Sequence, residues 1–235
     1  MSEPRMVEVR RKVLKENDLL AHRLRDRFQR AGVYVASLVS SPGSGKTTLL
    51  EGLLTSLGGR YRVAALVGDL ATENDAARLR RSGAPVKQIT TGTVCHLDAS
   101  MVEKALEGWA LDGLDFLFIE NVGNLVCPSS FDLGEDRRLV LVSTTEGEDK
   151  PLKYPTIFNS ADVAIVTKFD LAEAVDFDME ALAENIQRVR PGMPVLTVSA
   201  RSGQGMLQLE QFLLSRREEL LGMSGGKEPT QLKAG

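Results

Sequence analysis

Residues 35–50 read VASLVSSPGSGKTTLL, and their types and spacing suit the holding of a polyphosphate. A run of small and β-branched apolar residues ends in a Gly-rich turn that leads straight into a leucine-rich helical pattern. Gly43 and Gly45 let the backbone curl so that successive N–H groups face phosphate oxygens, with Ser41, Ser44 and Thr48 in the same cradle. The helix that follows adds the partial positive charge of its N-terminus. Lys46 is placed for the β- and γ-phosphates and Thr47 for Mg²⁺. The generic pattern G-x-x-x-x-G-K-[ST] has Gly where this chain has Ser40. Other candidate groups follow apolar runs. Asp69, Glu120 and, in DLATEND, Asp75 are carboxylates suited to a Mg²⁺ shell or to orienting water; such acids also cap helices. Cys95 and His96 are adjacent in GTVCHLD, and Cys127 lies in ENVGNLVCPSS. Thiolate and imidazole suit Zn²⁺ and Ni²⁺. Three donors leave a position for water or for a two-fold partner, and Cys127 alone also reads as a small buried residue.

Thr167-Lys168-Phe169-Asp170 resembles the N-K-x-D guanine motif. A carboxylate at Asp170 accepts from both N1–H and the N2 amine of guanine, a pair that adenine lacks. The Lys168 stem can lie over the base. Thr stands where Asn is usual, which loses an amide contact or replaces it by a hydroxyl. Ser199-Ala200-Arg201 resembles the S-A-K loop whose backbone N–H reads guanine O6. Together these favour GTP over ATP, against the alternative that Asp170 only caps a helix.

The positioning elements follow from periodicity. Residues 6–30 predict an amphipathic helix with Val13, Leu20, Leu24 and Phe28 inward, a solvated basic face, and His22 at the surface or in packing. Strands are expected at 33–40, 62–67, 86–89, 116–120, 138–143, 161–166 and 195–198. Helices are expected at 46–57, 74–82, 98–109 (with Asp98 as N-cap), 179–190 and 204–221. The strands are continuous apolar runs, so both faces are covered, which predicts a three-layer α/β/α fold around a mostly parallel sheet. The domain reading is a helix over 1–32 packed on the main body, a nucleotide-binding domain over 33–221, and a flexible tail over 222–235. The 235 residues carry a net charge of −3, which argues against nucleic-acid binding through bulk charge. No run of about 18 apolar residues predicts a membrane span, and the charged N-terminus does not read as a secretory signal. Two cysteines make no disulfide framework. A cytoplasmic protein is expected.

The segments SSPGSGKTTLL, GDLATENDA, GTVCHLDASM, FIENVGNLVCPSSFDLGE and TTEGEDKPLKYP together resemble the hydrogenase nickel-incorporation GTPases, the HypB-type maturation factors of [NiFe] hydrogenase. The resemblance implies a SIMIBI-type P-loop NTPase, the branch with signal-recognition and nitrogenase-iron-protein relatives. It implies slow GTP hydrolysis with Mg²⁺, and homodimerisation through the metal and nucleotide face. Nickel would pass to the hydrogenase large subunit with a HypA-type zinc protein. Carried over by position, the metal ligands, for Ni²⁺ or Zn²⁺, fall on Cys95, His96 and Cys127, and Ser40 becomes a family feature. The Cys-rich or His-rich N-terminal nickel stretches of some members have no counterpart here. No glutamine or arginine finger is evident, so hydrolysis is expected to await a partner; Arg78, Lys150 and Lys153 are candidates to act across a dimer.

Three other classes fit parts of the chain. A urease-type nickel-delivery GTPase would carry Cys-Pro-His, whereas Cys95 and His96 are adjacent. A P-loop small-molecule phosphotransferase would need an Arg-rich lid, of which only Arg78, Arg80 and Arg81 offer a trace. A dimer with purely structural Zn²⁺ would show no effect of nucleotide on metal affinity.

Overall fold

A computed structural model describes residues 3–70 and 74–223. In chain order the elements are α1 (Glu3–Ala31), β1 (Tyr34–Ser40), α2 (Lys46–Gly58), β2 (Val63–Asp69), α3 (Asn74–Leu79), β3 (Val86–Thr90), α4 (Ala99–Ala105), β4 (Phe116–Glu120), β5 (Arg137–Ser143), α5 (Lys150–Lys153), α6 (Pro155–Ser160), β6 (Val163–Thr167), α7 (Met179–Val189), β7 (Val195–Thr197) and α8 (Met206–Met223). The seven strands form one sheet in the order β3-β2-β4-β1-β5-β6-β7. Every pairing is parallel, so the sheet is wholly rather than mostly parallel. β1 is central, between β4 and β5, and is buried along its whole length. Such an order places all carboxyl ends of the strands on one edge, where ligands bind in open α/β sheets.

Helices cover both faces. On one, Leu49, Leu50, Leu53, Leu54 and Leu57 of α2 meet Leu209 and Leu213 of α8 over Leu38, Phe116 and Phe118. On the other, α1 and α4 pack over Val35, Leu66 and Ile119, with a neighbouring cluster around Ile157, Phe158, Leu182 and Ile186.

Several boundaries differ from expectation. In α1, Leu24 and Phe28 are buried, but Val13 is 48% exposed; Ala21 and Asn17 take the inward positions further along, because the first turns reach past the body. His22 is exposed. Asp98 caps α4 by accepting from Met101 N, yet α4 ends at Ala105, so Trp109 lies in a following turn. The helix expected to Ser82 tightens into a 3-10 turn after Leu79. β6 starts at Val163 rather than Ala161. α8 includes Gly222 and Met223; the rest of the expected flexible tail lies outside the described residues. No helix among the described residues is long and apolar enough to cross a membrane.

A buried polar knot fixes the chain entering β5. Arg138, 7% exposed, donates to Glu135 Oε1 at 2.9 Å, to Phe131 O at 2.7 Å and to Ser160 Oγ at 3.1 Å. Glu135 also accepts from Ser37 Oγ at 3.0 Å and Leu133 N at 2.7 Å. Removing one partner of a buried ion pair strands the other. Arg138→Ala is therefore expected to cost about 3–5 kcal/mol of unfolding free energy. Urea denaturation checks this, and a loss under about 1 kcal/mol would show the knot to be dispensable.

Candidate functional site

β1 runs into the Gly-rich loop, and α2 begins at Lys46 behind it. Gly43 and Gly45 have φ of 75° and 94°, the left-handed region that glycine adopts without strain. Ser40 has a specific task here. Its Oγ accepts from Lys46 Nζ at 2.8 Å and from Ser44 Oγ, while donating to Ser41 O at 2.6 Å. A hydroxyl where the generic pattern has Gly thus aims the lysine along the loop. Reading motifs alone did not find this, because the contact depends on how the loop closes.

A cleft of about 500 Å³ opens over this loop. Gly43, Gly45, Lys46, Thr47 and Thr48 line it together with Asp69, Asp75, Arg78, Glu120 and Gly123. Ser44 is buried beneath it. Ser41 accepts from Lys150 Nζ at 3.2 Å, which brings the loop after β5 onto the cradle. Thr47 Oγ1 donates to Glu120 Oε1 at 2.7 Å. Glu120 is 3% exposed, and its second oxygen is buried without a hydrogen-bond partner among the described residues. An ionisable oxygen left so costs free energy unless a cation meets it. Thr47, Glu120, Asp69 and Asp75 are hard oxygen donors lining this one cleft, which fits Mg²⁺. Burial pushes the Glu120 carboxyl up to about 7, against the pull of the Lys46 charge and the Thr47 hydroxyl. Burial likewise lowers Lys46, against the opposing charge of Glu120. Arg78 donates from Nε to Glu51 at 2.7 Å, so it borders its own chain's cleft.

The base loops converge next door, where a second cavity of about 220 Å³ joins the cleft at Gly45, Thr48 and Lys168. Thr167, Asp170, Ser199, Ala200 and Arg201 line it. Asp170 is exposed in a 3-10 turn, and its carboxylate makes no hydrogen bond among the described residues, so it does not serve as a helix cap. Lys168 adopts φ 54° and donates from Nζ to Gly43 O at 2.8 Å, laying its stem along the junction. Thr167 Oγ1 donates to Ser44 O at 2.6 Å. Its hydroxyl ties β6 to the phosphate loop. Ser199 Oγ accepts from Ser202 N at 3.2 Å, which shapes the last base loop.

The metal candidates meet beyond the strand ends. Cys95 and His96 precede α4, and Cys127 opens a 3-10 turn after β4. Their donor atoms all lie within 4.8 Å of one another. The two sulfurs are 3.0 Å apart, far beyond a disulfide bond. Tetrahedral thiolates on one Zn²⁺ lie about 3.8 Å apart, so a small spreading of the loops admits the ion. His96 Nδ1 is buried and lacks a hydrogen-bond partner among the described residues, as a lone pair kept for a metal would be. Its ring stacks on Phe131 with centroids 4.1 Å apart. Burial holds His96 below its usual value, against the opposing pull of Asp98, which favours the neutral, ligating form. The Cys127 thiol is pushed up by its hydrogen bond with Cys95 and by burial.

The chain is similar to known proteins. The family described as CobW/HypB/UreG, nucleotide-binding domain, matches residues 34–197. The hydrogenase maturation factor HypB of Azotobacter chroococcum mcd 1 is 51% identical over 208 residues, 88% of this chain and 68% of that protein. The chain belongs to the HypB family of hydrogenase maturation factors. The hydrogenase/urease maturation factor HypB of Helicobacter pylori (strain ATCC 700392 / 26695) is 44% identical over 91% of this chain and 89% of its own. A crystal structure of HypB from Helicobacter pylori in complex with nickel superposes with a TM-score of 0.82 at 43% identity, covering 87% of this chain and 96% of that one. The signal recognition particle 54 kDa protein of Aeropyrum pernix K1, in complex with GDP, has a TM-score of 0.54 at 16% identity, covering 82% of this chain and 49% of its own; it supports the SIMIBI fold alone.

Proposed function

We propose that this HypB-family GTPase carries nickel for [NiFe] hydrogenase maturation and that bound GTP gates its hold on the metal. One observation carries the reading. Donors from separate chain segments, Cys95 with His96 and Cys127, gather on loops that flank the cleft holding Lys46, Thr47 and Glu120. GTP occupies the joined cavities, with Lys46 on the phosphates and Asp170 on the guanine. Thr47, Glu120, Asp69 and Asp75 hold Mg²⁺, which neutralises phosphate charge when bound. Asp75 orients the attacking water. Hydrolysis is slow in the isolated chain, since among the described residues no glutamine lines the cleft to share that task. Ni²⁺ is the cargo, and Zn²⁺ fits the same donors. Water or a second copy completes the coordination, which supports a two-fold dimer through this face. A HypA-type zinc protein and the hydrogenase large subunit are the expected partners. The division into an N-terminal helix, a GTPase domain over 33–221 and a tail is part of the same proposal, as is a cytoplasmic location.

Titration with Ni²⁺ and with Zn²⁺, in GDP and in a non-hydrolysable GTP analogue, tests it, with oligomeric state followed in parallel. Affinity and dimerisation should change together between the two nucleotides. Equal affinity in both would leave only a structural metal.

The guanine assignment has its own test. A hydrogen bond to a charged group is worth about 1.5–3 kcal/mol, and Asp170 makes two with guanine. Exposure favours the lower end, so Asp170→Asn is expected to weaken GTP about 100-fold. It should also raise the relative affinity for xanthosine triphosphate, whose N1–H and O2 suit an amide. An unchanged GTP-over-XTP preference in competition binding would overturn it.

A further inference from the structure

The cleft and the metal cluster are bridged by one buried amide. Asn121, next to Glu120, is 2% exposed. Its backbone N–H donates to Leu38 O of β1 at 3.0 Å, so its main chain is fixed to the strand that carries the phosphate loop. Its side-chain Oδ1 accepts from Leu97 N at 3.0 Å and from Val122 N at 2.9 Å. Leu97 directly follows His96. The Leu97 side chain is itself wedged against the end of β2: a Cβ added at Gly68 would lie 2.8 Å from Leu97 Cγ. On the other side, a Cβ added at Gly123 would lie 2.9 Å from Pro42 Cα in the phosphate loop. Residues 120–123 are thus clamped between the phosphate loop and the Cys95–His96 loop. A shift of one cannot leave the other in place, because close-packed groups have no slack to absorb it.

We propose that Asn121 is the positioning residue through which the nucleotide cleft and the metal cluster sense one another. It acts by holding the Leu97 N–H, and with it the His96 backbone, to the segment that carries Glu120. This rests on the gated-carrier reading above. The coupling is a free energy shared by both sites, so it must appear reciprocally: whatever nucleotide does to Ni²⁺ affinity, Ni²⁺ does to nucleotide affinity by the same factor.

The test uses two substitutions of the same shape. Asn121→Leu removes the acceptor, while Asn121→Asp keeps it. Ni²⁺ affinity is measured on the full chain in GDP and in a non-hydrolysable GTP analogue, and analogue affinity with and without Ni²⁺. The unsubstituted protein should show a ratio of about 5–150-fold, as coupled sites do. In Asn121→Leu both ratios should collapse to within about twofold of unity while each ligand still binds; in Asn121→Asp they should persist. A merely structural residue would lower affinity or stability without moving the ratio. Amide hydrogen exchange on the unsubstituted protein supplies a readout independent of any variant's folding: the Leu97 N–H should exchange at different rates in the two nucleotide states. A gated parent with an equally gated Asn121→Leu, or a Leu97 rate indifferent to nucleotide, overturns this inference alone. An ungated parent overturns the carrier reading and this inference with it.

Discussion

Replacing Cys127 by Ala lowers nickel affinity at least about 100-fold while GTP binding stays within a few-fold of the parent. The floor comes from metal sites in general, where groups that merely orient a ligand are worth about 10–100-fold; a direct ligand is worth more. Selectivity for the metal follows from geometry. Cys127 is half-buried at the start of a 3-10 turn, and its Sγ lies 3.0 Å from that of Cys95. It lines neither the phosphate cleft nor the base cavity. Cys95→Ala and His96→Ala should lose metal similarly, and the double cysteine variant should lose little more, since the donors act as one site. Competition with a chromophoric chelator measures all four. If the double variant binds Ni²⁺ and Zn²⁺ like the parent, the cluster is not the site.

Lys46→Ala lowers the turnover of GTP about 10²–10³-fold, the usual worth of one preorganised donor aimed at charge that develops in the transition state. Lys46 is 7% exposed and already aimed by Ser40, so little reorganisation precedes its use. Single-turnover phosphate release at saturating GTP separates this from weaker binding. The same cleft carries a pH signature. Glu120 titrates at about 7 in the unliganded protein because burial disfavours its charge. Only the ionised form suits a cation. Binding of Mg²⁺–GTP below pH 7 therefore releases close to one proton from Glu120, and the apparent affinity falls about tenfold per pH unit there. Well above pH 7 this release vanishes. Calorimetry in buffers of different ionisation enthalpy measures it, and Glu120→Gln should abolish it. Release unchanged in that variant would place the titrating group elsewhere.

Much of this was legible in the chain. The 35–50 segment is a strand, a turn and a helix whose geometry is set within a few residues by apolar run length, glycine and helix propensity; α2 begins at Lys46 as read. Phe116–Glu120 was read to the residue for the same reason, a buried run ending in an acid. Two short helices were not legible. α5 and α6, Lys150–Lys153 and Pro155–Ser160, are too brief to be stable alone and exist because α6 packs Ile157 and Phe158 into the core. Val13 has the spacing of an inward residue but is left exposed, with no core of the described residues beneath it. Asn17 was not singled out by its spacing, yet its amide donates to Asp132 O and accepts from Ala99 N, joining α1 to α4 and to the loop before β5.

By itself, then, the amino-acid sequence determined the residue chemistry and the local cradle: glycines for the loop, a lysine and threonine in register, an acid after β6, and a thiol beside an imidazole. Each depends on neighbours a few bonds away. The tertiary structure decided which of these groups meet. The sheet order interposes β4 between β2 and β1, which sets Glu120 against Thr47 and carries the chain on to place Cys127 beside Cys95. It also buried Glu120 enough to move its protonation into the neutral range, and it set Asn121 between the two sites. Those outcomes follow from burying seven parallel strands under helices on both faces, a long-range balance that no short stretch of chain encodes.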